Sequence, residues 1–413
     1  MEHASYLYFA LLWIIGWGAV GAVATPRIYA RKDLDISQAT LAGAMTGAAG
    51  GPFALAPLWY YTPKLDWKWM AIPALVIVLI FTTAFAAADP DNLCVTNGNF
   101  VTTQIANGLV IGAIYGLMAL GLTLIFSILG VVSFAHGEFY MLGGMGVYYL
   151  LVVWFPGMHW LLGLLGAAAL TFAIGIIFEL IFLRAMNTGQ VERPGEYAIL
   201  VTFGLAFFLQ YTTLALVGPN PKKAPRFIEY PLFGVPPGAE SPALDVSATT
   251  INIFDVSIAS TRFTASIIAL VLLGLLMWFL YRTWTGKALR AVSEDRHAAA
   301  VTGINPDTMN TLAFGLGAML AGLSGASLVQ VFSWVPWVGV QASGRSFVII
   351  VLGGMGSLPG AFIGGLIVGI VEQLGAGCIP DPHRAVAYIP AYGMLILTLV
   401  LLLKPTGLFG REL

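Results

Sequence analysis

Charge is what this chain lacks. Asp, Glu, Lys and Arg make up 9% of its 413 residues and hydrophobic residues 58%, where a soluble domain carries roughly 25% charged residues. That balance excludes a water-facing globular surface. The apolar runs are long and continuous, which excludes a membrane barrel built from alternating strands of about ten residues. A net charge of -1 leaves no basic face for nucleic acid. Cysteine is scarce as well: Cys94 and Cys378 are too few and too far apart in sequence for a metal site of their own. No G-x-x-x-x-G-K-[ST] loop is present, so any ATP hydrolysis belongs to another chain. No Ser–His–Asp or metal-ligand arrangement stands out either, and no enzyme activity or cofactor is expected. The first apolar run, Tyr6–Val23, has no basic region before it, so no cleavable leader is expected.

What remains is a polytopic, all-α membrane protein. Uncharged runs that approach the roughly 20 residues a spanning helix needs are Tyr6–Pro26, Trp69–Ala88, Gln104–Phe126, Phe139–Phe155, Trp160–Leu183, Ala198–Leu216, Phe263–Tyr281, Met309–Val329, Pro359–Leu374 and Ala385–Leu403. About ten transmembrane helices are therefore expected. One further run over 37–61, rich in Gly and Ala and broken by Pro52 and Pro57, reads as weak or non-spanning.

Lys and Arg collect in cytoplasmic loops, and the best candidates are Arg184–Arg193, Arg282–Arg296 and Lys404–Arg411. This places 217–262 outside as a long Pro-rich loop and 282–308 in the cytoplasm. Three runs lie between Arg296 and Lys404, where an even number is required. The sum is repaired if "SFVIIVLGGMGSLPG" is a half-helix that enters from outside and turns back at its glycines, a break tolerated only inside protein or against a cavity. Phe134–Glu138 then falls toward the cytoplasm and Asp89–Phe100 outside. The N-terminus is outside if 37–61 does not cross, and inside if it does. Cys94 and Cys378 both reach the outer side, where they either form a disulfide or stay unpaired. "FTTAFAAADP" imitates an outward-facing cleavage site but also reads as a plain helix end.

The most informative loop is "TGKALRAVSEDRHAAAVTGINPDTM". Ser293 is a good N-cap, with Glu294 and Asp295 in the first turn. Gly303 supplies a left-handed stop, and Asn305–Pro306 caps and opens the next helix. The alanines present a narrow face that suits either a partner's groove or an ordinary interfacial helix.

With these stretches quoted, "NGLVIGAIYGLMALGLTLIFSILGVVSFAHGEFYMLGG" resembles the permease subunits of branched-chain amino acid ABC transporters, the LivH type. "AILVTFGLAFFLQ", "AFGLGAMLAGLSGA", "VLGGMGSLPGAFIGGLIVGIVE" and "LLLKPTGLFG" follow in that family's order. The resemblance covers a permease domain at 99–413 and leaves 1–98 as an N-terminal extension with two or three hydrophobic segments. It implies an ABC importer permease fold with broken or re-entrant elements in a bacterial inner membrane. It also implies a second, LivM-type permease subunit, two cytoplasmic ATPases and a periplasmic substrate-binding protein. The implied ATPase contacts are Ala298, Ala299 and Gly303, with Arg290, Glu294, Asp295 and His297 in the same segment. His297 stands where the family's pattern has glutamate.

His136 and Glu138 are two positions apart, so on a helix they point to different faces. The stretch Phe134–Gly137 reads as a break with Gly137 lending backbone freedom. His136 either lines the path near its cytoplasmic mouth or satisfies backbone groups at that break. Asn107, Tyr115, Thr123, Gln210 and Gln330 are further candidates for a substrate path, and Gly108, Gly112 and Gly116 suit close helix packing. Glu179 reads as a snorkelling carboxylate beside Arg184. "LGGMG" occurs twice, at 142–146 and 352–356, and marks either internal symmetry or chance. Two function classes follow: an ABC importer permease for a small polar solute (an amino acid, amide or urea-like), or an ion-coupled secondary transporter with Glu372 as its acidic residue.

Overall fold

A computed structural model of the chain describes residues 17–29, 97–187, 191–228, 244–246, 250–253, 256–378, 391–394, 396–398 and 406–410, with scattered single positions that include Cys94. Contacts divide the chain into two units, Met1–Asp89 and Pro90–Leu413. In the first, residues 17–29 are helical. The expected span Trp69–Ala88, the run over 37–61, "FTTAFAAADP" and most of Ala385–Leu403 lie outside the described residues.

The second unit is helical. Its elements are α1 (Gly98–Leu129), α2 (His136–Tyr148) with a π-turn to Trp154, and α3 (Trp160–Phe178) with a π-turn to Leu183. Then come α4 (Pro194–Val217), a small sheet, α5 (Ser260–Arg282), α6 (Trp284–Glu294) and α7 (Arg296–Val301). The last three described helices are α8 (Pro306–Leu328), α9 (Val338–Gly353) and α10 (Leu358–Cys378). Among the described residues six helices are long and apolar enough to cross a bilayer, so the chain is a multi-pass, all-α membrane protein. The loop over 217–262 holds more order than its composition suggested. Strands β1 (Leu244–Val246), β2 (Thr250–Ile253) and β3 (Val256–Ala259) form an antiparallel meander, with Thr250 opposite Ala259.

Glycine sets how closely the helices approach. On α1, Gly108 and Gly112 lie against the backbone of Ile370 and Leu366, where an added Cβ would come within 2.6 and 2.8 Å of their Cα atoms. On α10, Gly365 and Gly369 return the contact against Gly116 and Gly108. Apolar tails in lipid do not drive helices together, so backbone-to-backbone packing of this kind supplies the association. Cys94, ahead of α1, is disulfide-bonded to Cys378 at the end of α10, with a Cα–Cα distance of 5.5 Å. The bond closes one end of the same seam.

The run Phe139–Phe155 falls on one continuous helical stretch over 136–154, whose first residue, His136, sits beside Met118 in the later half of α1 after a non-helical stretch at 130–135. The half-helix near Ser346 differs from expectation. It does not turn back partway; α9 runs to the end that carries the C-terminal tail, where Leu352 and Gly353 accept hydrogen bonds from Leu408 and Phe409. Its irregular backbone comes before it, at 329–337. Hydropathy missed the first half of α9 because Gln341, Ser343 and Arg345 lie in it. Counted as a crossing, α9 restores the even number.

The order full helix, break, deep-starting helix, turn and third helix thus occurs twice, in α1–α2–α3 and in α8–α9–α10. The second triplet runs in the opposite sense, since α8 packs antiparallel to α3 through Gly322–Thr171 and Ala318–Gly175, and α10 packs antiparallel to α1. This is an inverted repeat. The two "LGGMG" copies are not its signature, because one lies inside α2 and the other straddles the end of α9.

Gly369→Val places a branched side chain into the α1 backbone and should lose roughly 1–3 kcal/mol or more from overpacking. Gly274→Ala, on an open face of α5 with nothing within 4 Å, should be neutral. Melting temperature and monodisperse yield in one detergent check both.

Candidate functional site

The first break meets the start of α9. Ser343 of α9 donates to the Phe134 carbonyl at 3.1 Å and accepts from the Gly137 N–H at 2.9 Å. Phe134 N–H donates to Thr202 of α4 at 3.3 Å. An added Cβ on Gly137 would fall 1.9 Å from the Gly339 carbonyl, and one on Gly339 would fall 2.5 Å from the Glu138 carboxyl. Gly137 therefore serves close approach within a helix, not freedom at a break. The left-handed residue is Gly130, which ends α1 at φ +71°. The second break is closed by the loop that follows α4: Lys222 and Trp334 exchange backbone hydrogen bonds, Ala224 N–H donates to Val329, and Phe227 N–H donates to the Gln330 side chain. The Trp334 indole, fully buried, donates to Met141 of α2. Backbone freed at membrane depth is thus satisfied within the protein.

His136 is fully buried with Nε2 2.8 Å from the Met118 carbonyl. A carbonyl only accepts, so Nε2 carries the hydrogen, and Nδ1 has no partner among the described residues. Glu138 faces α9 instead, and its Oε2 also lacks a partner among them. The pair does not converge on a shared ligand.

The other expected path residues are dispersed. Asn107 donates to Thr103 and, across to β3, to Ser257. Thr123 donates back to Ala119 within α1. Gln210 sits half-buried on α4, whose outward face shows Leu200, Phe208 and Leu216. Gln330 belongs to the second break. An open cavity of about 540 Å³ between Leu151–Gly157 and Lys223–Pro225 is lined by none of them. Tyr115 alone sits in a charged cluster: its hydroxyl donates to Glu372 Oε2 at 3.1 Å, Arg345 Nε donates to Glu372 Oε1 at 3.0 Å, and the guanidinium lies 5.3 Å from the Tyr115 ring centre. Glu372 was visible in the sequence, but Arg345 was hidden because a single charge sat between two apolar runs. Glu179 does not snorkel; it is 1% exposed and accepts from the Thr311 hydroxyl.

Over 282–308 the expected single helix is two. Ser293 is no cap, since its hydroxyl donates to Arg290 in the last turn of α6. Asp295 caps α7, accepting from His297 N–H at 2.8 Å and Ala298 N–H at 2.9 Å. These amides, Ala298 foremost, hold the Asp295 carboxyl below its ordinary pKa. Gly303 stops α7 at φ +91°, and Asn305 caps α8 ahead of Pro306. Arg296 pairs with Asp307 at 3.2 Å, fixing α7 to α8. Arg290 turns inward, stacking 4.4 Å from the Tyr281 ring centre and donating to Leu280. Glu294, His297 and Ala298 are exposed, Ala299 is buried, and Val301 is 89% exposed.

Residues 104–404 match the family described as "Branched-chain amino acid transport system / permease component". The high-affinity branched-chain amino acid transport system permease protein LivH of Salmonella typhimurium is 31% identical over 316 residues, covering 75% of this chain and 95% of that protein. The corresponding BraD of Pseudomonas aeruginosa is 32% identical with the same coverage. LivH of Escherichia coli K12 is 31% identical over 315 residues, again covering 75% of this chain and 95% of that protein. No solved structure matches the chain.

Ser343→Ala leaves the Gly137 N–H without its acceptor and should lose roughly 1–3 kcal/mol, read as a lower melting temperature. The Asp295 cap has a depressed folded-state pKa, so its stabilisation is present above the ordinary carboxylate range and lost as pH falls through the folded value. Amide protection factors at His297 and Ala298, taken against the intrinsic exchange rate at each pH, should fall on acidification through that value, and in Asp295→Ala at neutral pH.

Proposed function

The chain belongs to the permease family of branched-chain amino acid transport systems, and from that premise we propose that it forms the translocation path of an ABC importer for an amino acid. Two separate cytoplasmic ATPases drive it, a second permease subunit completes the path in the inner membrane, and a periplasmic binding protein delivers the solute. The observation that carries this reading is α7. It is a short helix capped at both ends and tied to α8 by Arg296–Asp307, with Ala298, Ala300 and Val301 turned outward. Such an element transmits a push to α8 because it is rigid at both ends, and ATPase closure biases the spans between two states. His297 is exposed beside these residues and offers a hydrogen-bonding contact where relatives of this motif offer a carboxylate. The ion-coupled reading loses its acidic residue, because Glu372 is engaged by both Arg345 and Tyr115.

Gly303 is a poor position for testing the contact, since any side chain there is strained at positive φ. Ala298→Arg is the cleaner change. Purified from native membranes in mild detergent, the wild-type chain should bring down two ATPases and a second permease. Ala298→Arg should keep the permease partner and its yield while losing at least nine-tenths of the ATPases. Recovery of the wild-type chain with no ATPase would sink the importer reading.

A further inference from the structure

The segment "GPNPKKAPRF" at 218–227 carries Lys222, Lys223 and Arg226 and no carboxylate. It lies at the opposite end of the helices from the other basic loops. Arg184–Arg193 and the α6–α7 segment sit where α3 ends and α8 begins, joined there by the Thr311–Glu179 hydrogen bond and the Arg296–Asp307 pair. The 218–227 segment is instead bonded to Val329 and Trp334, beyond the far end of α8. Lys and Arg gather on one side of a membrane protein, so cations held at the other end call for an anionic partner.

The loop presents these cations from a fixed frame. Its main chain is bonded at Lys222 and Ala224, and Phe227 stacks on Trp160 with ring centres 5.8 Å apart. Lys223 is exposed, and among the described residues no carboxylate pairs with Lys222 or Lys223. The open cavity of about 540 Å³ has Lys223 on one wall and Val152 and Pro156 on another. A second cavity of about 230 Å³ adjoins it, sharing Leu151 and Pro225, and is lined by His159, Trp160 and Arg226. His159 Nδ1 accepts from the Leu161 N–H at 3.3 Å, so Nε2 carries the hydrogen and is a further donor. No lining residue of either cavity is acidic. Beside them Val153, Trp154 and Phe155 after α2, and Leu161, Leu162 and Leu165 of α3, are exposed. A soluble anion makes no use of that apolar surface.

We propose that the two adjoining cavities hold the phosphate headgroup of an anionic phospholipid, with an acyl chain laid along the exposed face of α3. Lys223, Arg226 and His159 supply the donors, and charge-assisted hydrogen bonds to phosphate are among the strong ones. Trp154 and Trp160 mark the headgroup level, where tryptophan collects. The bound lipid braces the loop that closes the second break, because the same loop bonds Trp334, Val329 and Gln330. A zwitterionic lipid brings its own ammonium against these cations and binds less well. The site is independent of the importer reading.

The test uses the full chain, purified in mild detergent and stripped of lipid. It is titrated with phosphatidylglycerol, with phosphatidylcholine of the same acyl chains, and with inorganic phosphate. Phosphatidylglycerol should raise the melting temperature and the other two should not. Lys223→Glu should keep the lipid-free melting temperature and need roughly tenfold more phosphatidylglycerol for the same rise. Lys287→Gln, which removes an exposed cation at the opposite end, should respond as wild type. Phosphatidylglycerol with a diazirine on its acyl chain should label α3 between Leu161 and Leu165. An equal response to phosphatidylcholine, or an unchanged response in Lys223→Glu, overturns the proposal. A response lost equally in Lys287→Gln also overturns it, as diffuse charge attraction. A rise with inorganic phosphate as large as with lipid marks a soluble-anion site and overturns the lipid. If Lys223→Glu does not fold, the label decides, and crosslinks confined to other helices overturn the site. No lipid response in wild type, with weaker capture of a substrate-binding protein by Lys223→Glu, assigns the cations to protein docking and overturns it as well.

Discussion

Backbone polar groups at membrane depth have no water to turn to, and the architecture follows from how this chain satisfies them. Twice the helical ladder is interrupted, at 130–135 and 329–337, and twice another segment supplies the missing partners. At the first break a single hydroxyl, Ser343, serves a carbonyl and an amide at once. At the second, the loop around Lys222–Phe227 adds main-chain hydrogen bonds and the Trp334 indole reaches α2. Each break depends on the other half of the repeat, so neither triplet of helices is complete alone.

That mutual closure demands very short distances between helices, and glycine provides them. At Gly137–Gly339, Gly143–Gly322 and the α1–α10 seam, a single added methyl would meet backbone. Such contacts do not slide, so the helices they join move as blocks. The charged cluster of Tyr115, Arg345 and Glu372 adds a polar tie among α1, α9 and α10. At 296–307 α7 is held to α8, which lies against α1, α2 and α3. A push on α7 therefore reaches the helices on both sides of the first break.

The glycines of α1, the left-handed stop at Gly303 and the Asn305–Pro306 cap were legible as local signals, because each depends on residues a few positions apart. Ser293 was misread for the same reason: Ser and Asp two positions apart both qualify as caps, and only the β-region backbone at Asp295 selects it. Glu179 looked interfacial because Arg184 follows it, yet Thr311 from a distant helix binds its carboxylate inside the protein. Arg345 escaped notice because its partner lies 27 residues away, well beyond any periodicity.

The sequence by itself determined the membrane class, the family and the position of the short capped helix near 296–303, since these rest on composition and short-range patterns. Only the tertiary structure decided where the helices begin, that the two triplets are inverted copies, and which polar residues meet. Those outcomes depend on pairing across the bilayer interior, where a group's neighbour is chosen by packing and by the cost of leaving it unpaired.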